Sequence, residues 1–255
     1  GSDVTGSIVA RATKAKLYEN WTDVSGCLIC DPRIVNNPEP IKTITYRELR
    51  ELAYMGATVL HEDAIFPVRA AGIPVNIKNT NQPEDRGTMI VSESAEHCDH
   101  IITGIAGKKG MSVINIEKDK MNSEIGFGKN VLRALEKSNV SFEHMPSGVD
   151  TMSVVIATEA LAGKETAIID EIKSRVHPDQ IYIESNLALI AVVGRGMKSA
   201  RGTAAILFSA LADARVNIKM IDQGSSELNI IVGVEEEDFE VAIKAIYKRF
   251  IGINQ

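Results

Sequence analysis

A chain of 255 residues with 24% charged and 44% hydrophobic side chains has room for about two globular domains of ordinary soluble composition. Its net charge of -6 argues against a nucleic-acid or anionic-membrane surface, which needs clustered Lys and Arg, and leaves small molecules as the default partners. No apolar run reaches the ~20 residues of a membrane-spanning helix and the first residues lack the apolar core of a signal peptide, so the expected location is the cytoplasm.

The chain opens on GSDVTGSIVARATKAK, where Ser2 or Asp3 can cap a helix that carries Ile8, Val9 and Ala12 on one face. Such a helix start offers unpaired N–H groups to a phosphate or polar substrate, although local sequence alone favours reading Gly1-Ser2 as a vector-derived remnant and the cap as only a cap. LYENWTDVSGCLICDPRIV then reads as two short β-runs joined by a turn at Asp23 to Gly26, with Pro32 ending the second and Arg33 just beyond. Thr22, Asp23 and Arg33 on neighbouring loops are groups a nucleotide site uses, the Arg for phosphate oxygens and the carboxylate for ribose or base donors. Turn chemistry alone accounts for the same residues.

Cys27 and Cys30 form a C-x-x-C within the second run, where a spacing of three sends side chains to opposite faces of a strand. With three cysteines in all and no second pair, they read as buried structural thiols. The five histidines show no ligand spacing, and no metal site is assigned.

Thr45 starts a helix, TYRELRELAYMG, that buries Leu49, Leu52 and Ala53 and stops at Gly56; a second helix begins near Glu62. IPVNIKNT and TMIVSE read as strands around the polar turn QPEDRGT, which makes an α/β layer structure. SESAEH, from Ser92 to His97, is a hydrophilic link without periodicity, and the first domain is placed at residues 1–92.

Beyond it the chain repeats itself at an offset of 76 residues: VSFEHMPSGVDTMSVVI from Val140 matches VNIKMIDQGSSELNIIV from Val216. Met121 pairs with Met197, Gly126 with Gly202 and Gly148 with Gly224. The first copy reads as strand GMSVINIEK, a helix from Phe127 to Ser138, strand VSFEHM, turn PSGVD, strand TMSVVIAT, helix KETAIIDEIKSRV and strand QIYIES. That order, β-α-β-β-α-β, is the ferredoxin-like unit. LALIAVVG, TAAILFSALADA, VNIKMI, SELNIIVGV and FEVAIKAIYKRF repeat it, but the last strand is only the stub IGINQ, so the second copy would borrow a strand from elsewhere. The two units are placed at residues 93–184 and 185–255.

Taken together, GSD, WTDV, DPR, ITYRELRELAYMGATVLHEDA and IPVNIKNT, in this order and spacing, resemble the C-terminal part of the aspartokinase catalytic domain. The repeats resemble the paired ACT domains that follow it, GSSELNIIV matching the second. The resemblance implies a kinase turning ATP and L-aspartate into ADP and 4-phospho-L-aspartate, with Mg2+, as the first step toward lysine, threonine and methionine. It makes Asp3 and Ser2 the catalytic candidates and points to Thr22, Asp23, Leu28, Asp31, Arg33 and Thr58 for the nucleotide. Leu28 stands where the family often has Tyr, and Thr58 where it often has Lys. The family's opening Lys-Phe-Gly-Gly strand has no counterpart here, so the chain is expected to lack part of the catalytic domain and to be inactive alone.

The same resemblance implies feedback by lysine or threonine in the first ACT unit, at Met121, Gly126, Phe127, Gly128, Phe142, Glu143, Ser147, Gly148 and Asp150. N–H groups at the Phe127 helix start suit a carboxylate, and Glu143 or Asp150 an ammonium; each also fits an ordinary turn or solvated strand position. In the second unit Gln223, Gly224, Ser225, Ser226 and Asn229 form the matching turn, expected to serve an interface, and open strand edges favour a homodimer through the ACT units. A non-catalytic amino-acid-sensing subunit and a dimerisation module are the rival readings.

Overall fold

The computed structural model describes residues 2–57, 62–93 and 100–252. In chain order these form α1 (Ser2–Ala12), β1 (Tyr18–Thr22), β2 (Thr43–Thr45), α2 (Tyr46–Tyr54), α3 (Glu62–Ala70), β3 (Val75–Asn79) and β4 (Thr88–Val91). Beyond these come β5 (Gly104–Glu117), α4 (Phe127–Lys137), β6 (Thr151–Ala157), α5 (Thr158–Leu161), α6 (Glu165–Val176), β7 (Gln180–Val193), α7 (Thr203–Asp213), β8 (Met220–Asp222), β9 (Asn229–Glu235) and α8 (Phe239–Phe250).

The first sheet has the order β1-β3-β4-β2, with β1 parallel to β3, β3 antiparallel to β4 and β4 parallel to β2. Helix α2 starts on a capping box: the Thr45 side chain accepts from the Glu48 N–H, and the Glu48 side chain reaches back to the Thr45 N–H. Its apolar side buries Leu49 and Leu52, and Gly56 ends it at a φ of 94° that only glycine adopts freely. The run Cys27–Asp31 is not a strand as expected. It keeps a single bridge, Leu28 to Pro40, because Pro32 and Pro40 each lack the N–H a ladder would need.

The second sheet has the order β6-β5-β7-β9-β8, antiparallel throughout. Two of its strands serve both repeats. QIYIES and LALIAVVG, expected as separate strands, are one 14-residue strand, β7, and β5 is equally long. The halves of β5 are set apart by register shifts between Lys108 and Val113, where Gly110 takes a positive φ. Met111–Glu117 lies between β6 and the first half of β7, within the first repeat. Gly104–Lys108 lies against Leu189–Val193, and so supplies the strand that the second repeat lacks.

VSFEHM, expected as a strand, holds only the isolated bridges His144–Val155 and, just beyond it, Ser147–Met152. Both bridges keep one antiparallel register, but Pro146 lies between them and has no N–H to continue the ladder. His144 Nδ1 lies 2.7 Å from Asp222 Oδ2 on β8, so the edges of the two repeats meet there.

The 76-residue offset is visible in the backbone. Gly126 and Gly202, the residues before α4 and α7, share φ 87°, and Asn139 and Arg215, after the same helices, have φ 51° and 59°. Ile114, Ile116, Val154 and Ile156 pack under Val131 and Leu135 of α4 and Ile168 and Ile172 of α6 in a core confined to the first repeat. Leu207, Leu211, Ile230, Val232 and Ile246 of the second repeat share a core with Ile44, Leu49, Leu52 and Ile77 of the N-terminal segment.

Candidate functional site

Helix α1 begins over β1. Asn20 Nδ2 donates to Asp3 Oδ1 at 3.4 Å, the Tyr18 hydroxyl donates to the Asp3 carbonyl at 3.2 Å, and Ser2 Oγ donates to Asp3 Oδ1 at 3.4 Å. Gly6 permits this approach, since a Cβ there would stand 2.7 Å from the Tyr18 hydroxyl. Asp3 and Ser2 are thus held at a helix start whose free N–H groups suit an anion. Gly1 and Thr58 lie outside the described residues.

At the carboxyl ends of the parallel strands β1 and β3, where open α/β sheets place their ligands, the Thr22 hydroxyl donates to Asp23 Oδ1 at 3.1 Å. Beside them Asn79 Nδ2 donates to Ser25 Oγ at 2.9 Å, Ser25 Oγ donates to Asp85 Oδ2 at 2.5 Å, and Lys78 Nζ donates to the Asp85 carbonyl. Sequence reasoning missed Asn20, Ser25, Lys78, Asn79 and Asp85. The parallel pairing that assembles them spans more than fifty residues, and QPEDRGT carried only a turn signal.

A cavity of about 590 Å³ opens next to these loops. Cys27, Leu28, Asp31 and Arg33 line it together with Ile105 and Phe239. Arg33 holds Asp31 in a two-pronged pair, Nε to Oδ1 at 3.0 Å and Nη2 to Oδ2 at 2.6 Å. That pair keeps the Asp31 carboxyl below its ordinary range. Arg33 remains exposed and can turn its fork to a phosphate. Cys27 and Cys30 are buried as expected, and both residues line this one cavity; because their run is not a strand, the opposite-face expectation for a spacing of three does not apply. Burial pushes Cys27 up to about 12 and Cys30 up to about 11, so both thiols stay protonated, and slow to react, for as long as they are buried.

The proposed effector residues fall into two groups. Met121 and Phe127 are buried and Gly126, Ser147, Gly148 and Asp150 exposed at one end of the first repeat, with Gly128 over the Met152 methyl. There Asp150 Oδ1 accepts from the Lys120 N–H at 2.8 Å, tying the turn to the loop before α4. Phe142 and Glu143 lie toward the other end of β5. Glu143 is held by Lys108 Nζ at 2.7 Å and by the Tyr54 hydroxyl; burial alone would raise its pKa, but these partners hold it below the usual range. Lys108 and Lys118 stand ten residues apart on or beside a strand rising ~3.3 Å per residue, so one amino acid cannot touch Glu143 and Asp150 together.

In the second repeat Gln223, Gly224 and Ser225 are exposed at the turn, with Ser226 half-buried. Asn229 Nδ2 donates to Glu51 Oε2 on α2 at 2.7 Å, so the end of this turn docks on the N-terminal segment.

A partly parallel sheet with polar loops at its strand ends, followed by a five-stranded antiparallel sheet carrying helices from two repeats, defines an amino acid kinase segment joined to an ACT domain: residues 1–79 match the amino acid kinase family and residues 190–250 the ACT domain. The particular likeness is to aspartokinases, along nearly the whole chain. Aspartokinase 3 of Bacillus subtilis is 44% identical over 251 residues, 98% of this chain and 55% of that protein. The crystal structure of Clostridium acetobutylicum aspartate kinase superposes with a TM-score of 0.93 at 59% identity, covering 98% of this chain and 58% of that one. Escherichia coli aspartokinase III gives a TM-score of 0.78 in its complex with aspartate and ADP (26% identity) and in its complex with lysine and aspartate (25%), covering 98% of this chain and 55% of that one in each. This chain therefore spans little more than half the length of each of these three proteins.

Proposed function

We propose that this chain is the nucleotide-facing and regulatory part of an aspartate kinase, which transfers the γ-phosphoryl of ATP to L-aspartate, and that the first repeat is a second ACT unit, binding a feedback amino acid. The observation that supports this best is the continuity of the likeness. One chain, aspartokinase-like over 98% of its length, carries the Thr22–Asp23 and Asp31–Arg33 loops at the edge of a cavity that residues of the second repeat, Phe239 and Ile243, also line.

Phosphoryl transfer to a carboxylate depends on positioning and charge stabilisation. In this reading Arg33 binds phosphate oxygens, Asp31 keeps its fork oriented, Thr22 and Asp23 take polar edges of the nucleoside, and Leu28 lines the same pocket. Asp3 and Ser2, at the α1 start, lie beside the transferred group. Among the described residues no group of three or more His, Cys, Asp and Glu could hold a metal ion. Mg2+ would reach the enzyme with the phosphates, and no residue is assigned to it. The sequence holds no Lys-Phe-Gly-Gly strand, so the 255 residues are expected to bind nucleotide without transferring phosphoryl.

Calorimetry with ATP tests the reading directly. Arg33→Ala should weaken nucleotide binding roughly tenfold or more, as loss of a charged hydrogen-bond partner does; unchanged affinity would move the nucleotide elsewhere. For the effector, the loop from Met121 to Gly128 with the turn from Ser147 to Asp150 is the proposed site, lysine and threonine the ligands to titrate. Asp150→Ala should cost about 1–3 kcal/mol of that affinity. The separate core of the first repeat favours a second reading, a stand-alone amino-acid sensor. Absence of ATP binding with lysine binding retained would select it. A homodimer through the repeats is the proposed assembly, which sedimentation equilibrium checks.

A further inference from the structure

Helix α2 presents three polar side chains, each three residues apart, to both repeats. At its start Glu48 is fully buried. Its Oε2 accepts from the Thr45 N–H at 2.9 Å, the Thr45 hydroxyl at 2.7 Å and Arg195 Nη1 at 2.8 Å, while Oε1 accepts from the Thr103 hydroxyl at 2.6 Å and the Arg195 N–H at 2.8 Å. One turn on, Glu51 accepts from Asn229. Another turn on, the Tyr54 hydroxyl faces Glu143 of the first repeat, and Lys108 Nζ lies 4.4 Å from its ring centroid. Arg195 belongs to the loop before α7, which corresponds, 76 residues on, to the Lys118–Met121 loop of the proposed effector site.

The cavity wall takes Leu52 from the same helix and Gly56 and Ala57 from the chain just past its end, along with Cys27 and Cys30. A rigid element with one side fixed to both repeats and its end in the cavity wall cannot shift at one place alone, since packed interiors transmit displacement.

We propose that α2 is the relay between regulation and chemistry: its Glu48–Glu51–Tyr54 row senses the position of the two repeats, and its C-terminal end sets the shape of the cavity. The ligand named for that cavity rests on the nucleotide reading above; the mechanical link does not.

Cys27 and Cys30, two buried residues of the cavity lining, report on the wall. In a Cys98→Ser background, which leaves Cys27 and Cys30, the rate of reaction with a neutral disulfide reagent measures opening of the cavity. Glu51→Ala and Tyr54→Phe remove contacts to the repeats, and neither Glu51 nor Tyr54 is a lining residue of the cavity. Each should raise the labelling of Cys27 and Cys30 by at least about fivefold, through local openings that depend little on low denaturant. Lys137→Ala, which breaks only the Lys137–Glu171 pair between α4 and α6, should leave the rates unchanged. Rates in both α2 variants within about twofold of the parent, or rises that track global unfolding in denaturant, overturn the relay. Slowing of the same labelling by ATP in the parent tests the nucleotide reading separately: without it the cavity loses that ligand, while the variants still decide the relay.

Discussion

In the first repeat the loop before the first helix carries Lys118 and Lys120; at the matching positions the second repeat carries Gly194 and Gly196. The two loops have the same place in the same unit but different neighbours. Asp150 closes the first through the Lys120 N–H, and Ile125 and Val149 stay exposed around it. In the second, the chain from Ile101 to Thr103 lies so close that a Cβ on Gly194 would stand 2.6 Å from Ile102 Cα and one on Gly196 2.6 Å from the Ile101 carbonyl oxygen. Arg195, between them, enters the buried Glu48 site. One copy has become a support fused to the kinase segment, and the other keeps an open end. A repeat in the sequence reports a shared backbone; the small and charged residues that break the repeat report what each copy touches.

The strongest way to break this division is at Glu48. Glu48→Ala leaves the Arg195 guanidinium and the Thr103 hydroxyl without their partner in the interior, which should cost about 3–5 kcal/mol in denaturant unfolding. A loss below about 1 kcal/mol would mean that the second repeat is not anchored there. The acid limb carries the same information. Burial alone would raise the Glu48 pKa, yet the donors from Thr103, Thr45 and Arg195 outweigh it and hold the pKa below the ordinary 4.5. With a depressed folded pKa, its contribution is fully present above pH 4.5 and is lost as pH falls through the folded value. Thermal melts of Glu48→Gln should therefore show a flatter decline below pH 4.5 than the parent.

Next in size are the glycines. Gly194 has an extended backbone, φ 175°, that any residue adopts, so Gly194→Ala acts only through the collision with Ile102 and should cost about 1–3 kcal/mol. Gly126 and Gly202 invert that logic. Both have φ 87° and nothing within 4 Å of where a methyl would stand, so alanine meets backbone strain alone, roughly 1–2 kcal/mol and equal in the two repeats. Unequal costs in chemical denaturation would show that the helix starts are not equivalent.

Local signals were legible in the sequence where the cause is local. The Thr45–Glu48 capping box, the stop at Gly56 and the burial of Leu49 and Leu52 follow from residues within one turn of each other. Hydrophobic periodicity marked both halves of β7, but the polar run Glu184 to Asn186 between them looked like a break. In the sheet it is a short irregularity, with Asn186 at φ 61°, inside a continuous strand. VSFEHM alternates well enough for a strand, and Pro146 decides against it. Of the candidate site, the Thr-Asp and Asp-Pro-Arg loops could be read from their own chemistry. The second role of Glu48 could not: the capping box accounted for it completely, and Arg195 lies 147 residues away.

The smallest expected effect separates the two turns. Asp150→Ala removes the acceptor of one backbone N–H at an exposed site where water can replace it, so its cost in urea unfolding should be about 0.5–1.5 kcal/mol. Ser226 occupies the matching position in the second repeat, and no hydrogen bond from its hydroxyl is among those of the described residues, so Ser226→Ala should stay within about 0.5 kcal/mol. The contrast matters more than either number. If the first turn is held by its carboxylate and the second by docking on α2 through Asn229, the carboxylate is the residue an arriving ammonium would compete for. Hydrogen exchange at Lys120 then becomes the local readout: Asp150→Ala should speed it, while Ser226→Ala should leave Gly196 as protected as before. Equal protection at Lys120 in parent and Asp150→Ala would show that the first loop, like the second, is held by packing, and would remove the distinction between the repeats.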